Sequence, residues 1–222
     1  MRRSLWVVLL ALLALVANSS AAVIWELLPA TNNENVGLIV TVTDIGNNQI
    51  KFDLQIDPNK STGDITGLYF NIAGGVTGVT TAMFTGSDLA TACVWPGGNL
   101  AQGNPVPWCG SNDNNLNGVP NIPAGSFEIG LAFGSQGNNS ITSTTVIFSY
   151  AASNRTFSES AFAPMAGRIK SITPGGGSAK LIDLVPFVPD TGENIPEPST
   201  WLMMGAGLGL VALAKMRRTR RS

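Results

Sequence analysis

Histidine is missing from all 222 positions of the chain, and that absence removes much of hydrolytic chemistry. A Ser-His or Cys-His pair needs an imidazole to take the proton of the nucleophile, so both are excluded. A zinc site would lose its nitrogen donors, and no CxxC spacing stands in for them. Charge is scarce as well, at 12% of residues, and it is unevenly divided. Two of the 13 basic residues open the chain (Arg2, Arg3) and five close it (Lys215, Arg217, Arg218, Arg220, Arg221), while 13 of the 14 acids precede Glu197. The body between holds six basic and 13 acidic residues, a net charge near −7. Phosphate backbones require a basic face, so this balance argues against nucleic acid as a partner. Internal repeats, long amphipathic helices and a Gly-rich phosphate cradle are absent too, and no cofactor is expected.

Short runs of period two are present, separated by Gly- and Asn-rich turns. Ile50, Phe52, Leu54 and Ile56 alternate with Lys51, Asp53, Gln55 and Asp57, which reads as a strand with one wet face. Val36, Leu38, Val40 and Val42 form a second row. Leu68, Phe70 and Ile72 alternate with Tyr69 and Asn71. Phe127, Ile129, Leu131 and Phe133 form another row, and so do Val146, Phe148 and Tyr150. Later candidates are "GRIKSI" and "GGGSAKLIDL". Many short strands with such turns predict an all-β antiparallel sandwich or jelly roll over 23–185, large enough to bury a two-sheet core.

The first 22 residues have the three parts of a secretory signal: Arg2 and Arg3, an apolar run from Leu5 to Ala17, and the small residues Ser20, Ala21 and Ala22. An oxidising destination makes a Cys93–Cys109 disulfide the natural reading, and a loop of this length is worth roughly 3 kcal/mol by chain entropy. Around these cysteines runs the longest irregular stretch, "CVWPGGNLAQGNPVPWCGSNDNNLNGVPNIPAG", long enough to suggest a functional loop. Trp95 and Trp108 could stack on sugars. Burial over the disulfide is the stronger reading, because indoles gain most from it. Within the loop, Asp113, Asn115, Asn117 and Gly118 match the opening of a calcium loop. Ala124 stands where the closing Glu belongs, which leaves a weak candidate, and an Asn/Gly turn is the better reading. Asp53 and Asp57 lie on one strand face as a conceivable carboxylate pair, but Lys51 and Gln55 on that face read as solvated edge chemistry. No catalytic residue is assigned.

The end of the chain has its own composition. Residues 186–195 are Pro-rich and aperiodic, as a linker should be. Pro196-Glu197-Pro198 follows, then 14 apolar residues from Trp201 to Ala214, then an arginine cluster. The prolines hold the tripeptide extended. The apolar segment makes about 21 Å of helix, short against a bilayer core of about 30 Å. With Trp201 at one border and the basic cluster at the other, it reads as a transmembrane helix with its C-terminus inside.

These three parts in this order resemble the PEP-CTERM sorting signal of bacteria, also catalogued as the ice-binding protein C-terminal domain. Ser199-Thr200-Trp201 and the glycines Gly205, Gly207 and Gly209 strengthen the resemblance. It implies recognition of Pro196, Glu197 and Pro198 by an exosortase. Removal of the tail would follow, with release or attachment at the surface of a Gram-negative, often exopolysaccharide-producing cell. The precursor would be held in the inner membrane by its C-terminal helix until processing. "DITGLYFNI", "NNLNG", "FEIGLAFGSQG", "ITSTTVIFSY" and "GRIKSITPGGGSAKL" resemble the body of a group of such exported proteins, which implies one β-sandwich domain and adds no catalytic residue. The Thr pairs Thr80-Thr81 and Thr144-Thr145 are too irregular for a flat ice-binding array. The expectation is a non-catalytic surface or matrix protein, not an enzyme, associated with exopolysaccharide or biofilm. A carbohydrate-binding module using Trp95 and Trp108 is the alternative, and an extracellular hydrolase is weaker still.

Overall fold

The computed structural model describes residues 22–30, 35–97, 109, 116, 127–134, 141–151 and 157–183, all within one compact unit, Ser20–Val188. Ten strands account for most of them: β1 (Val23–Pro29), β2 (Leu38–Gly46), β3 (Gln49–Ile56), β4 (Thr62–Phe70), β5 (Phe84–Thr85), β6 (Leu89–Val94), β7 (Ile129–Phe133), β8 (Ser143–Ser149), β9 (Met165–Thr173) and β10 (Ser178–Asp183). The alternating rows become strands because each buries one face. In β3, Ile50, Phe52 and Leu54 are buried while Lys51, Asp53 and Gln55 face outward. β2 turns into β3 through Asn47 and Asn48, both at positive φ (54° and 59°), the geometry of a tight hairpin whose twist matches its strands.

All pairings are antiparallel, in the order β5-β8-β3-β2-β1-β10-β9-β4-β7-β6. The expected sandwich of two sheets is therefore corrected to one continuous wall of ten strands, a nearly closed barrel. β1 makes the wall continuous. Its Val23–Leu27 stretch pairs with β2, and its end, Leu28 and Pro29, pairs with β10. The wall nearly closes because its two edge strands, β5 and β6, are consecutive in the chain. Residues 86–88 step between them. Asp88 accepts the Gly134 N–H through its carbonyl at 2.9 Å and the Thr144 hydroxyl through its carboxylate at 2.8 Å, so this link touches both sides of the gap. Period-two patterning specifies a buried face, and a sandwich and a barrel satisfy it equally.

The interior is aromatic and aliphatic. Phe52 stacks on Phe70 with ring centroids 5.1 Å apart and meets Phe162 edge-on at 5.0 Å. Gly167 of β9 leaves room for side chains of β1 and β2: a Cβ there would lie 2.9 Å from Leu38 Cδ2 and 3.3 Å from Leu27 Cδ1.

Among the described residues the helical segments are two 3-10 turns, Thr81–Met83 and Glu159–Ala161, and no helix is long and apolar enough to cross a membrane. The transmembrane helix expected over 201–214 and the signal helix expected over 1–22 lie outside the described residues. No described helix therefore supports the expected membrane anchor, whose apolar length of about 21 Å is short against the roughly 30 Å to be crossed.

Candidate functional site

One side of the barrel is covered on its outer face as well as its inner one. The register draws a single outward row across six strands: Leu28 opposite Ile182, Ile182 opposite Ala166, Ala166 opposite Tyr69, Tyr69 opposite Gly130, and Gly130 opposite Cys93. Leu116, from the long irregular stretch, and Phe127, just before β7, pack on the centre of this row with Tyr69 and Ala166, with Trp95 and Ile182 at the margins. Burial pushes the Tyr69 phenol well above its ordinary pKa, against a smaller opposing effect of the Arg168 charge.

The Cys93–Cys109 disulfide forms and fastens this cover to β6, the two Cα atoms being 5.7 Å apart. Cys109 is fully buried, and its sulfur lies 3.2 Å from the Gly130 carbonyl oxygen. The bare backbone of Gly130 makes room for the cover: a Cβ there would meet Trp95 Cη2 at 2.9 Å and Cys109 Cβ at 3.3 Å. Trp95 is thus half-buried on the barrel wall beside the disulfide. The returning chain is clamped at residue 128. The Glu128 N–H donates to Asn71 Oδ1 at 2.8 Å, and the Glu128 carbonyl accepts the Trp95 N–H at 2.7 Å.

Asp53 and Asp57 do not form a pair. Asp53 bonds Lys51 at 2.6 Å and accepts the Thr145 hydroxyl at 2.8 Å, facing water. Asp57, expected to be solvated, is 6% exposed, because the chain past β3 folds back against β1. There Lys60 lies 3.3 Å from Asp57 and 3.0 Å from Glu26. The Asn59 backbone N–H, against the opposing effect of burial and with help from Lys60, holds the Asp57 carboxyl below its ordinary range. Burial disfavours the Lys60 charge, but its bonds to Glu26 and Asp57 prevail and raise its pKa. The i,i+3 spacing of Asp57 and Lys60 was a visible clue to this pair; Glu26, distant in sequence, left none. Asp64 was also missed. It is buried, and accepts the Ile141 N–H at 3.0 Å.

Trp108, the calcium candidates Asp113, Asn115 and Asn117, and the tripeptide Pro196-Glu197-Pro198 lie outside the described residues. Among the described residues no group of three or more Cys, Asp or Glu could hold a metal ion.

Fold and cover together define an all-β barrel with a disulfide-fastened outer layer. Its C-terminal sequence adds a sorting address: residues 194–221 match the PEP-CTERM protein-sorting motif, which supports export and processing by an exosortase. No curated protein and no solved structure matches the chain. The expected membrane partner and inner-membrane-anchored precursor are corrected to what is found: no helix among the described residues is long and apolar enough to cross a membrane, and the motif supports an exosortase partner.

Proposed function

We propose that the protein is a non-catalytic component of the cell surface or extracellular matrix, processed at its C-terminal signal and associated with exopolysaccharide. The motif over residues 194–221 carries this reading. Support for a non-catalytic role comes from the lack of histidine and from the engagement of Asp53, Asp57 and Glu26 with lysines. The alternative, a carbohydrate-binding module using Trp95 and Trp108, draws on the half-exposed ring of Trp95.

Mass spectrometry of the protein recovered from its native host tests the reading. The mature C-terminus is expected at or near Pro196-Glu197-Pro198, and replacing the tripeptide with alanines should leave the arginine cluster attached. If the wild-type protein outside the cell still ends at Ser222, the processing reading is wrong. Loss of glycan binding in Trp95→Ala, with the fold retained, would favour the alternative.

A further inference from the structure

An open cleft of about 320 Å3 lies away from the disulfide cover, where β3 ends, the chain turns into β4, and β8 begins. Its walls are fixed by the backbone. The Ile56 N–H donates to the Thr142 carbonyl at 2.9 Å, and the turn closes through the Lys60 N–H on the Asp57 carbonyl at 3.1 Å. Gln55 and Ser143 face each other across the β3–β8 ladder and are exposed, as are Thr62 and Thr142. Beneath them sit the buried Asp57 carboxylate and the Lys60 ammonium.

We propose that this cleft is a subsite for a residue of a neutral polysaccharide. Its polar lining alternates donors and acceptors: the Gln55 amide, the hydroxyls of Thr62, Thr142 and Ser143, a carboxylate and an ammonium. That is the complement of a polyhydroxylated ring, in which each hydroxyl both gives and accepts. Asp57 and Lys60 are already in place. Asp57 accepts the Asn59 N–H through one oxygen at 2.9 Å and faces Lys60 with the other. Among the described residues Lys60 uses two of its three donors, on Glu26 and Asp57. Gly37 allows this posture: a Cβ there would press on Lys60 Nζ at 3.0 Å. Asp57 and Lys60 therefore set the polar floor of the cleft before a ligand arrives, without further ordering cost.

Charge selects the ligand class. Asp57, Glu26 and Lys60 sum to one negative charge within an acidic body, so phosphate, sulfate and uronic acid groups are repelled. A divalent cation is blocked because Lys60 Nζ stands between the two carboxylates. Pro58, which is exposed, offers an apolar edge to the C–H face of a sugar. Among the described residues no aromatic ring lines the cleft, so a single sugar binds weakly, and a polymer with many copies gives measurable retention.

The inference deepens the polysaccharide association in the proposed function at a site Trp95 does not line, and it is independent of C-terminal processing. Affinity electrophoresis of the exported protein in gels holding dextran, galactomannan, the neutral polysaccharide of the host, or polygalacturonate tests it. Retardation is expected in at least one neutral polymer and not in polygalacturonate. The Gln55→Ala/Ser143→Ala variant, altered at exposed positions with the ion triad intact, should bind about tenfold more weakly at an unchanged melting temperature. Thr142→Arg, which fills the cleft, should abolish retardation, and Trp95→Ala should leave it within about twofold. The inference is overturned by no retardation in any neutral polymer, by equal retardation in polygalacturonate, by parental binding in both cleft variants, or by a loss confined to Trp95→Ala. None of these outcomes bears on where the C-terminus is cut.

Discussion

Two sides of the same barrel obey different rules. β2, β3 and β8 bury one face and wet the other, so their buried and exposed residues alternate. β7 is buried at every position and β4 at every position but the first; Trp95, Leu116 and Phe127 form a second layer outside the Tyr69 end, and Ile141 meets the outward Asp64 at the other. A strand covered on both faces loses the polar half of its alternation, and its outward residues become packing residues. Tyr69, Ala166 and Gly130 belong to that class; Lys51 and Asp53 on the opposite side do not. The comparison separates three kinds of position: inward anywhere, outward and covered, outward and wet.

Inward positions should be costly on either side. Phe52 lies on the half-wet strand β3, yet its ring sits between Phe70 and Phe162. Phe52→Ala should destabilise by about 3–5 kcal/mol, measured by urea unfolding. A loss under about 1 kcal/mol would mean that this side of the wall is not packed against the other.

The cover comes next. Replacing Cys93 and Cys109 with serine, or reducing them, should cost about 3 kcal/mol through the lost loop constraint. Hydrogen exchange should locate the change: amides of β4, β6 and β7 lose protection while those of β2 and β3 keep theirs. Uniform loss across all ten strands would erase the distinction between the two sides. At the centre of the covered row, Gly130→Val should cost about 1–3 kcal/mol by overpacking, with a changed Trp95 fluorescence maximum as its local sign.

This division also explains what the sequence could and could not show. Alternation marked β2, β3 and β8 because water faces one side of each. It suggested a wet Tyr69, which is instead fully buried, since its cover arrives from residues some fifty positions later. Phe127 reads in phase with Ile129 and Leu131, yet its positive φ of 65° accompanies a turn of its ring into the outer cluster. β1 and β6 escaped notice for a related reason. "VIWELLP" carries Ile24 and Leu28 on its outward side with Glu26, and "LATACV" has no charged residue to mark a face. Cys93 and Cys109 were legible as a pair because the export signal fixed their chemistry. The ion triad at Asp57 was not, because its third member, Glu26, lies some thirty positions earlier in the chain. Closure of the wall depended on Asp88, whose two contacts no periodicity encodes.

The ion triad sits between the covered and wet classes, and pH distinguishes it. The Asp57 carboxyl is held below its ordinary 3.8, so its contribution is present above that pH and disappears as pH falls through the lower folded value. Lys60 is raised above its ordinary 10.5, so its contribution is complete below that pH and disappears as pH rises through the higher folded value. Stability supplied by the triad should therefore be flat between those limits. Lys60→Met should lower it by about 1–2 kcal/mol across the plateau, because Asp57 stays buried without its cation. It should also move the acid unfolding midpoint upward in a pH titration followed by circular dichroism. An unchanged acid limb would show that Lys60 does not hold Asp57 ionised.

The smallest effect belongs to the wet face, where the same chemical pair carries little weight. Lys51 and Asp53 approach as closely as 2.6 Å with side chains 35% and 39% exposed, and Asp53 also accepts the Thr145 hydroxyl. Water solvates both charges before and after folding, salt screens them, and holding two long side chains together costs rotamer freedom. The pair should therefore contribute less than about 1 kcal/mol. A double-mutant cycle of Lys51→Ala and Asp53→Ala isolates the coupling from any change in strand propensity. The coupling should be smaller than that of Lys60 with Asp57, and it should fall as salt rises from low to about 0.5 M, where the screening length drops well below 10 Å. If Lys51 and Asp53 couple as strongly as Lys60 and Asp57, burial is not what distinguishes the two sites, and the outward face of β3 is less wet than its alternation implies.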